Sequence, residues 1–566
     1  MHRMTTTLTL RACAGIGALA SLLMASTAVP ALAQDAPKRH HHHAAAADDR
    51  LGRLEQQLED QEQQIQALKA QIAAQPQAAS AQQVQELQTE VAEAKDEVKS
   101  VVEPKDKKIH FHGVTVTLGG FLAAESVWRS NNLESDIGSP AFSKIPFAGP
   151  GGGGNGNNVA VGRTGELRLT ARQSRISGLV EGDVDPNTHL AMYGEFDFLG
   201  AAASANSNES NSYTPRIRNL YGSVDWSDIG LHVLFGQSWS LATLDAKGMA
   251  ERSELAPPTI EAQYVPGFVW TRQPQLRIVK QFGDSFWAGF SLENPQTTIG
   301  GTAPTGFTGL TVNSGSGVNG SSTNVALAEF NPAITLTLNH VPDVIGKLAW
   351  EPAFFNGNVH LEAVGIYRDF YDRVGTALAN VSNHDTTGGG GGVAGMVKLV
   401  PGLLDVQFDT LFGSGIGRYG TSQLPDVTYN SDGTLRPVNE DMEMVGVTLH
   451  ANSALDLYVY GGREHDDATF FNGTINGTTQ HIGYGNPVFV NTGCFSYTLT
   501  SSCTGNIQTS EQVTAGLWDT AYAGDFGKLK IGLQYSYTEE DAFAGVGGSP
   551  HTSDNMIFTS FRYYPF

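Results

Sequence analysis

The sequence predicts an all-β barrel of sixteen antiparallel strands that crosses a membrane, behind an N-terminal α-helical coiled-coil extension. Three observations predict it. Apolar and polar residues alternate with a period of two from Ile109 to Phe566, so each strand carries one greasy and one polar face. The connections between these runs are short and long in turn, as in membrane barrels. Beyond the N-terminus no stretch is long and apolar enough for a spanning helix.

Composition fits that class. The chain has 566 residues with 35 Lys+Arg against 57 Asp+Glu, a net charge of −22. Nucleic acid needs a basic footprint, so it is excluded as a partner. A mean hydropathy of −0.19 excludes a bundle of membrane helices. A hydrophobic content of 40% is too high for a disordered chain. With 65 Gly, 27 Phe, 17 Tyr and only 16% charged residues, the balance suits a large β protein with long loops.

The N-terminus reads as an export signal over residues 1–33. Arg3 and Arg11 supply positive charge, Ala12 to Val29 is small and apolar, and Ala31-Leu32-Ala33 is a cleavage triplet. Export permits oxidation. Cys13 lies in the signal, which leaves Cys494 and Cys503 in a polar stretch. A disulfide between them is expected to close a loop tip and contribute about 2–3 kcal/mol.

Residues 34–50 are low in complexity, with His40 to His43 followed by Ala44 to Ala47. A flexible tether is the favoured reading over a metal-binding tract. Residues 51–108 carry heptads. Leu51, Leu54, Leu58, Ile65, Leu68 and Ile72 occupy a and d positions of one frame, with Gln61 at the missing d. After Pro76 the frame restarts with Val84, Leu87, Val91, Ala94, Val98 and Val101. Each segment is about three heptads, marginal alone, so a larger body is expected to hold the helices together. Ile at a with Leu at d points to dimers, which a polar d residue and a trimeric body would override.

Residues 109–566 form the body. The clearest strand is Leu529, Ile531, Leu533, Tyr535 and Tyr537 alternating with Lys530, Gly532, Gln534 and Ser536. Leu190, Met192 and Phe196 alternate likewise with Ala191, Tyr193, Glu195 and Asp197. A soluble sandwich would bury the greasy faces inside; a membrane barrel would turn them outward. Runs of about 10–14 residues match tilted bilayer spans. Trp226, Trp270, Tyr535, Tyr537 and Tyr564 near strand ends suggest interfacial girdles. Short turns are expected at 227–230, 283–284, 401–402, 452–453 and 523–527. Long connections are expected at 131–164, 201–215, 241–266, 295–327, 372–390, 416–441, 466–507 and 541–553. Eight long connections give sixteen strands; the ambiguous stretches 109–130 and 328–352 leave eighteen open.

The order of parts resembles trimeric Gram-negative porins. Arg172-Gln173-Ser174-Arg175-Ile176 followed by Glu181-Gly182, Arg218-Asn219-Leu220-Tyr221-Gly222, and Gly236-Gln237-Ser238-Trp239-Ser240 are similar to successive strand motifs of that family. The ending Phe561-Arg562-Tyr563-Tyr564-Pro565-Phe566 resembles a barrel-assembly signal, although Arg562 interrupts its apolar alternation. The heptads resemble those of DcaP-like porins. The resemblance implies an outer-membrane homotrimer in bilayer and lipopolysaccharide, with the coiled coil in the periplasm. It implies passive diffusion of small hydrophilic solutes, carboxylates among them. It also makes connection 241–266 the loop inserted into the pore.

Selectivity would then come from charge on the inner wall. Arg168 and Arg172 share a face opposite Leu167, Leu169 and Ala171; Arg277 sits between Leu276 and Ile278; Arg218 and Arg368 extend the basic group. An Arg facing lipid costs roughly 2–4 kcal/mol, so these are expected to face inward. Glu195 and Asp197 are acidic counterparts on the third strand. Asp245, Lys247, Glu251, Arg252, Glu254 and Glu261 lie in the inserted connection. Opposed rows of charge would set a transverse field with a mild preference for anions. The competing role for each charge is to brace the inserted loop.

No catalytic set, cofactor or metal site is expected. His232, His360 and His450 lie on strands, but sequence pairs none of them with a nucleophile. The runner-up function is a tether or adhesin that reaches the cell wall through the coiled coil and conducts little.

Overall fold

The computed structural model describes residues 108–111, 113–131, 165–200, 214–261, 264–307, 337–376, 380–495 and 503–566, with 142, 145 and 147 singly. They belong to one unit, Lys107–Phe566. The expected signal, linker and heptads lie outside the described residues, except that Lys108 already belongs to a strand.

Among the described residues, sixteen antiparallel strands close into one barrel. They are β1 (Val114–Arg129), β2 (Glu166–Thr170, resuming at Arg175–Asp185), β3 (Thr188–Asp197), β4 (Arg216–Trp226), β5 (Leu231–Trp239) and β6 (Arg272–Phe282). Then come β7 (Phe286–Glu293), β8 (Asp343–Trp350), β9 (Val359–Gly375), β10 (Val381–Val400) and β11 (Leu404–Ser414). The last are β12 (Asn439–His450), β13 (Leu455–Asp466), β14 (Ile507–Gly524), β15 (Gly527–Ala542) and β16 (His551–Tyr564). Closure is made by β1 and β16, which pair from Leu122↔Tyr563 to Arg129↔Met556. The short strand Lys108–Phe111 covers the part of the β1 edge that β16 does not reach. No long edge is left open, which is what closure achieves for an all-β wall.

The faces sort as alternation predicts. On β1, Leu122 is 61% exposed while its neighbours Phe121 and Ala123 are 7% and 6% exposed. Leu190 and Met192 on β3, Leu276 and Ile278 on β6, Val513 on β14, and Ile557 and Phe561 on β16 are likewise exposed. Buried polar groups such as Glu125, Glu362, Gln534 and Ser560 occupy the other face. A soluble sandwich would have hidden the apolar set; this wall presents it outward.

Three expectations are corrected. Residues 372–390 are not a long connection: β9 and β10 run through most of them, pairing up to Gly375↔Val381. The sequence looks loop-like there because of Gly388 to Gly392, yet the glycines belong to the wall. A Cβ on Gly392 would meet the Thr410 carbonyl at 1.8 Å, so only glycine allows that approach. Second, Trp270 and Tyr564 do not sit in an outer girdle. The Trp270 ring packs on Trp239 with centroids 5.7 Å apart, and Tyr564 stacks on the buried Phe121 at 5.1 Å. Third, Arg172 leaves the row it was expected to share with Arg168. Residues 171–174 break β2, and outward parity passes from Leu167 and Leu169 to Ile176.

The short turns fall where alternation placed them, all at one end of the barrel. The other end carries the long connections. Two include hairpins, Val427–Tyr429 with Leu435–Pro437 and Thr469–Ile475 with Thr478–Tyr484. The Cys494–Cys503 disulfide is formed in the connection between β13 and β14.

Candidate functional site

The segment Ser240–Thr271, between β5 and β6, folds into the barrel. Its composition drives this. Leu241, Leu244, Met249, Ile260, Val265 and Phe268 are buried, and they pack on inward side chains that include Met444, Tyr458, Trp518 and Phe558. Its backbone N–H groups must also find acceptors, since no ladder serves them. Inward side chains supply these around the wall. Leu241 N donates to Glu293 at 2.8 Å, Asp245 N to Glu362 at 3.1 Å and Gly248 N to Glu351 at 2.6 Å. Ile260 N donates to Gln534 at 2.6 Å, Gly267 N to Glu464 at 2.8 Å and Val269 N to Asp409 at 3.0 Å. Lys347 closes the set, donating to the Thr243 carbonyl and to Asp245, both at 2.8 Å. The inner carboxylates of β7, β9, β11 and β13 are thus clasps for the inserted segment.

Beside the segment lies a cavity of about 610 Å³. Arg175, Arg218, Lys530 and Arg562 line it from β2, β4, β15 and β16, and Arg252 and Glu254 line it from the segment. Aromatic rings hold the guanidinium groups in place. Arg562 lies over Trp518 and Phe121 at 4.7 and 5.0 Å, Arg175 over Phe121 at 5.2 Å, and Arg252 over Tyr193 at 5.7 Å. Arg218 is the extra residue of a bulge, because Glu195 pairs with Asn219 while Phe196 pairs with Ile217. It binds Glu195 and, at 2.9 Å, Asp197.

The opposite arc is acidic. Asp409, Glu440, Glu464 and Asp466 line β11 to β13 and are all buried. Glu440 and Asp466 face each other across the β12–β13 pair, and none of their four carboxylate oxygens accepts a hydrogen bond. Basic groups thus gather on β2, β4, β15 and β16, where Glu125, Glu195 and Asp197 pair with Arg562 and Arg218, and acidic groups gather on β11 to β13. Within the inserted segment, burial pushes the Glu261 carboxyl up to about 8. Burial, with the charge of Asp245 adding to it, also raises Glu254.

No protein-family model matches the sequence, and no curated protein does. Solved structures match the fold. The outer membrane channel DcaP of Acinetobacter baumannii overlays with a TM-score of 0.54 at 18% identity, over 80% of this chain and 98% of that one. This chain has the fold of an outer-membrane channel. OprB of Pseudomonas putida aligns at 11% identity and TM-score 0.41, over 83% of this chain and 97% of that one. OmpF of Salmonella typhi, in complex with daunomycin, aligns at 9% identity and TM-score 0.41, over 81% and 99%.

Of the charges singled out in the sequence, Glu195, Arg218, Arg252 and Glu254 line the cavity. The others lie elsewhere. Arg168 is half exposed and holds Glu166 at 2.6 Å. Arg172 is buried and donates to the carbonyls of Phe198 and Gly200 at 3.1 and 3.2 Å. Asp197 is fully buried between Arg216 and Arg218. Arg277 donates to the Trp239 carbonyl and braces the root of the segment. Arg368 is buried between Asp343 and Asp426 and donates to the Gln296 carbonyl, tying two connections to the wall. Asp245 is buried on Lys347; Lys247 is exposed and Glu251 half-buried at the segment tip. Sequence reading missed Arg175, Lys530 and Arg562 as lining residues. Arg562 breaks the apolar parity counted back from Phe566 but obeys that of Phe561 and Tyr563, which face out, so it faces in. Arg175 had no such signal, because its parity depends on the break in β2.

Proposed function

We propose that this chain is an outer-membrane porin that passes small hydrophilic solutes by diffusion, with a mild preference for anions. One observation carries the reading. The barrel is inside-out, apolar on its exposed wall and charged on its inner wall, and an inserted segment narrows the lumen to the cavity of about 610 Å³. Such a body is suited to hydrocarbon outside and water inside. The short-turn end then faces the periplasm.

The anion preference rests on the charges that line the cavity: Arg175, Arg218, Arg252, Lys530 and Arg562 against Glu195, Glu254, Asp405 and Asp456. Glu293, Asp409 and Glu464 are 1%, 1% and 0% exposed and are occupied as acceptors for the inserted segment. Arg252 is exposed, and Arg175 and Arg562 are half-buried at the cavity. Cations thus exceed carboxylates by only five to four at the cavity, which keeps the preference mild. We also infer a homotrimer from the resemblance to trimeric porins, which would override the dimer preference of the heptads of residues 51–108. No residue set for catalysis enters this reading.

Planar-bilayer recording of the purified chain tests it. Stable conductance steps and a reversal potential of anionic sign in a KCl gradient are expected. No conductance would sink the porin reading and leave the tether; clear cation selectivity would sink the anion preference alone. The mass of the complex in detergent checks the trimer.

A further inference from the structure

We propose that His340, Asp369 and Asp385 form a divalent transition-metal site of the zinc class on the outside of the barrel, at its long-connection end. The parity of β9 places it there. His360, Glu362, Arg368 and Asp372 are buried on the inner face, so Asp369 belongs to the outer face with Tyr367 and Tyr371. Asp385 on β10 pairs in register with Tyr371 and shares that face. His340 comes from the segment leading into β8, and its ring packs on Tyr371 with centroids 4.3 Å apart. Three stretches far apart in sequence therefore converge on one spot.

The geometry is that of a ligand set. His340 Nδ1 lies 3.6 Å from Asp369 Oδ1, and Nε2 lies 3.2 Å from Asp385 Oδ1. One potential ligand atom from each residue falls within 4.8 Å of the others. A second observation points to an ion. Asp369 is only 7% exposed, and its Oδ1, aimed into the cluster, accepts no hydrogen bond. A buried oxygen without a donor is costly, and a second carboxylate beside it compounds the cost. A bound cation supplies the missing partner to both. One imidazole nitrogen with two carboxylate oxygens suits Zn²⁺ and its neighbours; Mg²⁺ and Ca²⁺ favour oxygen alone. His340 and Asp385 are about half exposed, so the side away from the wall stays open to water or another oxygen ligand. The bound ion would pin the segment entering β8 to β9 and β10. The site takes no part in the pore and stands independently of the porin reading.

The test is Zn²⁺ titration by calorimetry on the full chain in detergent, with His40 to His43 each replaced by Ala so that this tract does not bind the probe. One saturable equivalent is expected. Its affinity should fall at least about tenfold in His340→Gln and in Asp369→Asn. Asp385→Asn, on the exposed side, serves as the variant least able to disturb folding, and heat-modifiable electrophoretic migration confirms each barrel. Anomalous scattering at the zinc edge should peak between the three side chains. No saturable binding would reduce the cluster to an ion pair of a protonated imidazole. Equal binding by all three variants, or a peak elsewhere, would also overturn the site.

Discussion

Glu464 clasps both the inserted segment and the connection between β11 and β12, and its removal should loosen the constriction. It is fully buried on β13 and accepts from three backbone amides: Gly267 N at 2.8 Å, Thr421 N at 2.8 Å, and Ser422 N at 3.1 and 3.0 Å to its two oxygens. Two infolded stretches thus hang on one side chain. Glu464→Ala leaves three N–H groups without that acceptor. At about 1–3 kcal/mol each the loss is about 3–9 kcal/mol, and lumen water offsets part of it. The one bond to the inserted segment, at about 1–3 kcal/mol, shifts its docked-to-undocked ratio by about 5- to 150-fold. Single-channel recording should show larger mean conductance and added open-state noise, with the barrel still heat-modifiable on gels. Glu464→Gln keeps one acceptor oxygen and should fall between. Conductance and noise unchanged in Glu464→Ala, with a folded barrel, would refute the idea that carboxylate-to-amide bonds hold the segment in place.

Arg562→Glu should move the reversal potential toward cations, since Arg562 lines the cavity, whereas Arg172→Glu should leave it nearly unchanged and lower thermal stability, because Arg172 holds the Phe198 and Gly200 carbonyls. Glu440→Gln should stabilise the barrel: of two facing carboxyl groups that lack hydrogen bonds, one becomes an amide able to donate to the other, a gain of about 1 kcal/mol read as a higher unfolding midpoint. The Glu261 carboxyl ordinarily titrates near 4.5 and is pushed up to about 8 by burial. A raised acid binds more protons docked than undocked, so docking is strongest below about 4.5 and weakens as pH rises to about 8. Channel noise should therefore grow across that window, and Glu261→Gln should flatten the profile.

Alternation made the barrel legible. A strand with lipid on one side and water on the other repeats every two residues, and Leu529 to Tyr537 shows it without any partner strand. Glu195 could be placed inward on that ground alone, whereas Arg218 shares the parity of the outward Leu220 and turns inward because of the bulge. Arg172 could not be placed, because a four-residue break in β2 resets parity, and its existence depends on how β1 pairs on the other side. The run Gly388 to Gly392 looked like a loop because glycine has no face; contact with the Thr410 and Phe412 carbonyls makes it strand.

By itself the sequence determined the alternating all-β wall, which side of most strands is apolar, and the position in the chain of the segment that leaves the wall; sixteen strands against eighteen was settled by the fold. The tertiary structure decided where that segment goes and which charges remain accessible. The reason is one of range. Face preference is set by the solvent on either side of a single strand, so it is written locally. The clasps on Ser240–Thr271 join residues up to 274 positions apart, and whether a carboxylate selects a solute or holds an amide depends on what folds against it.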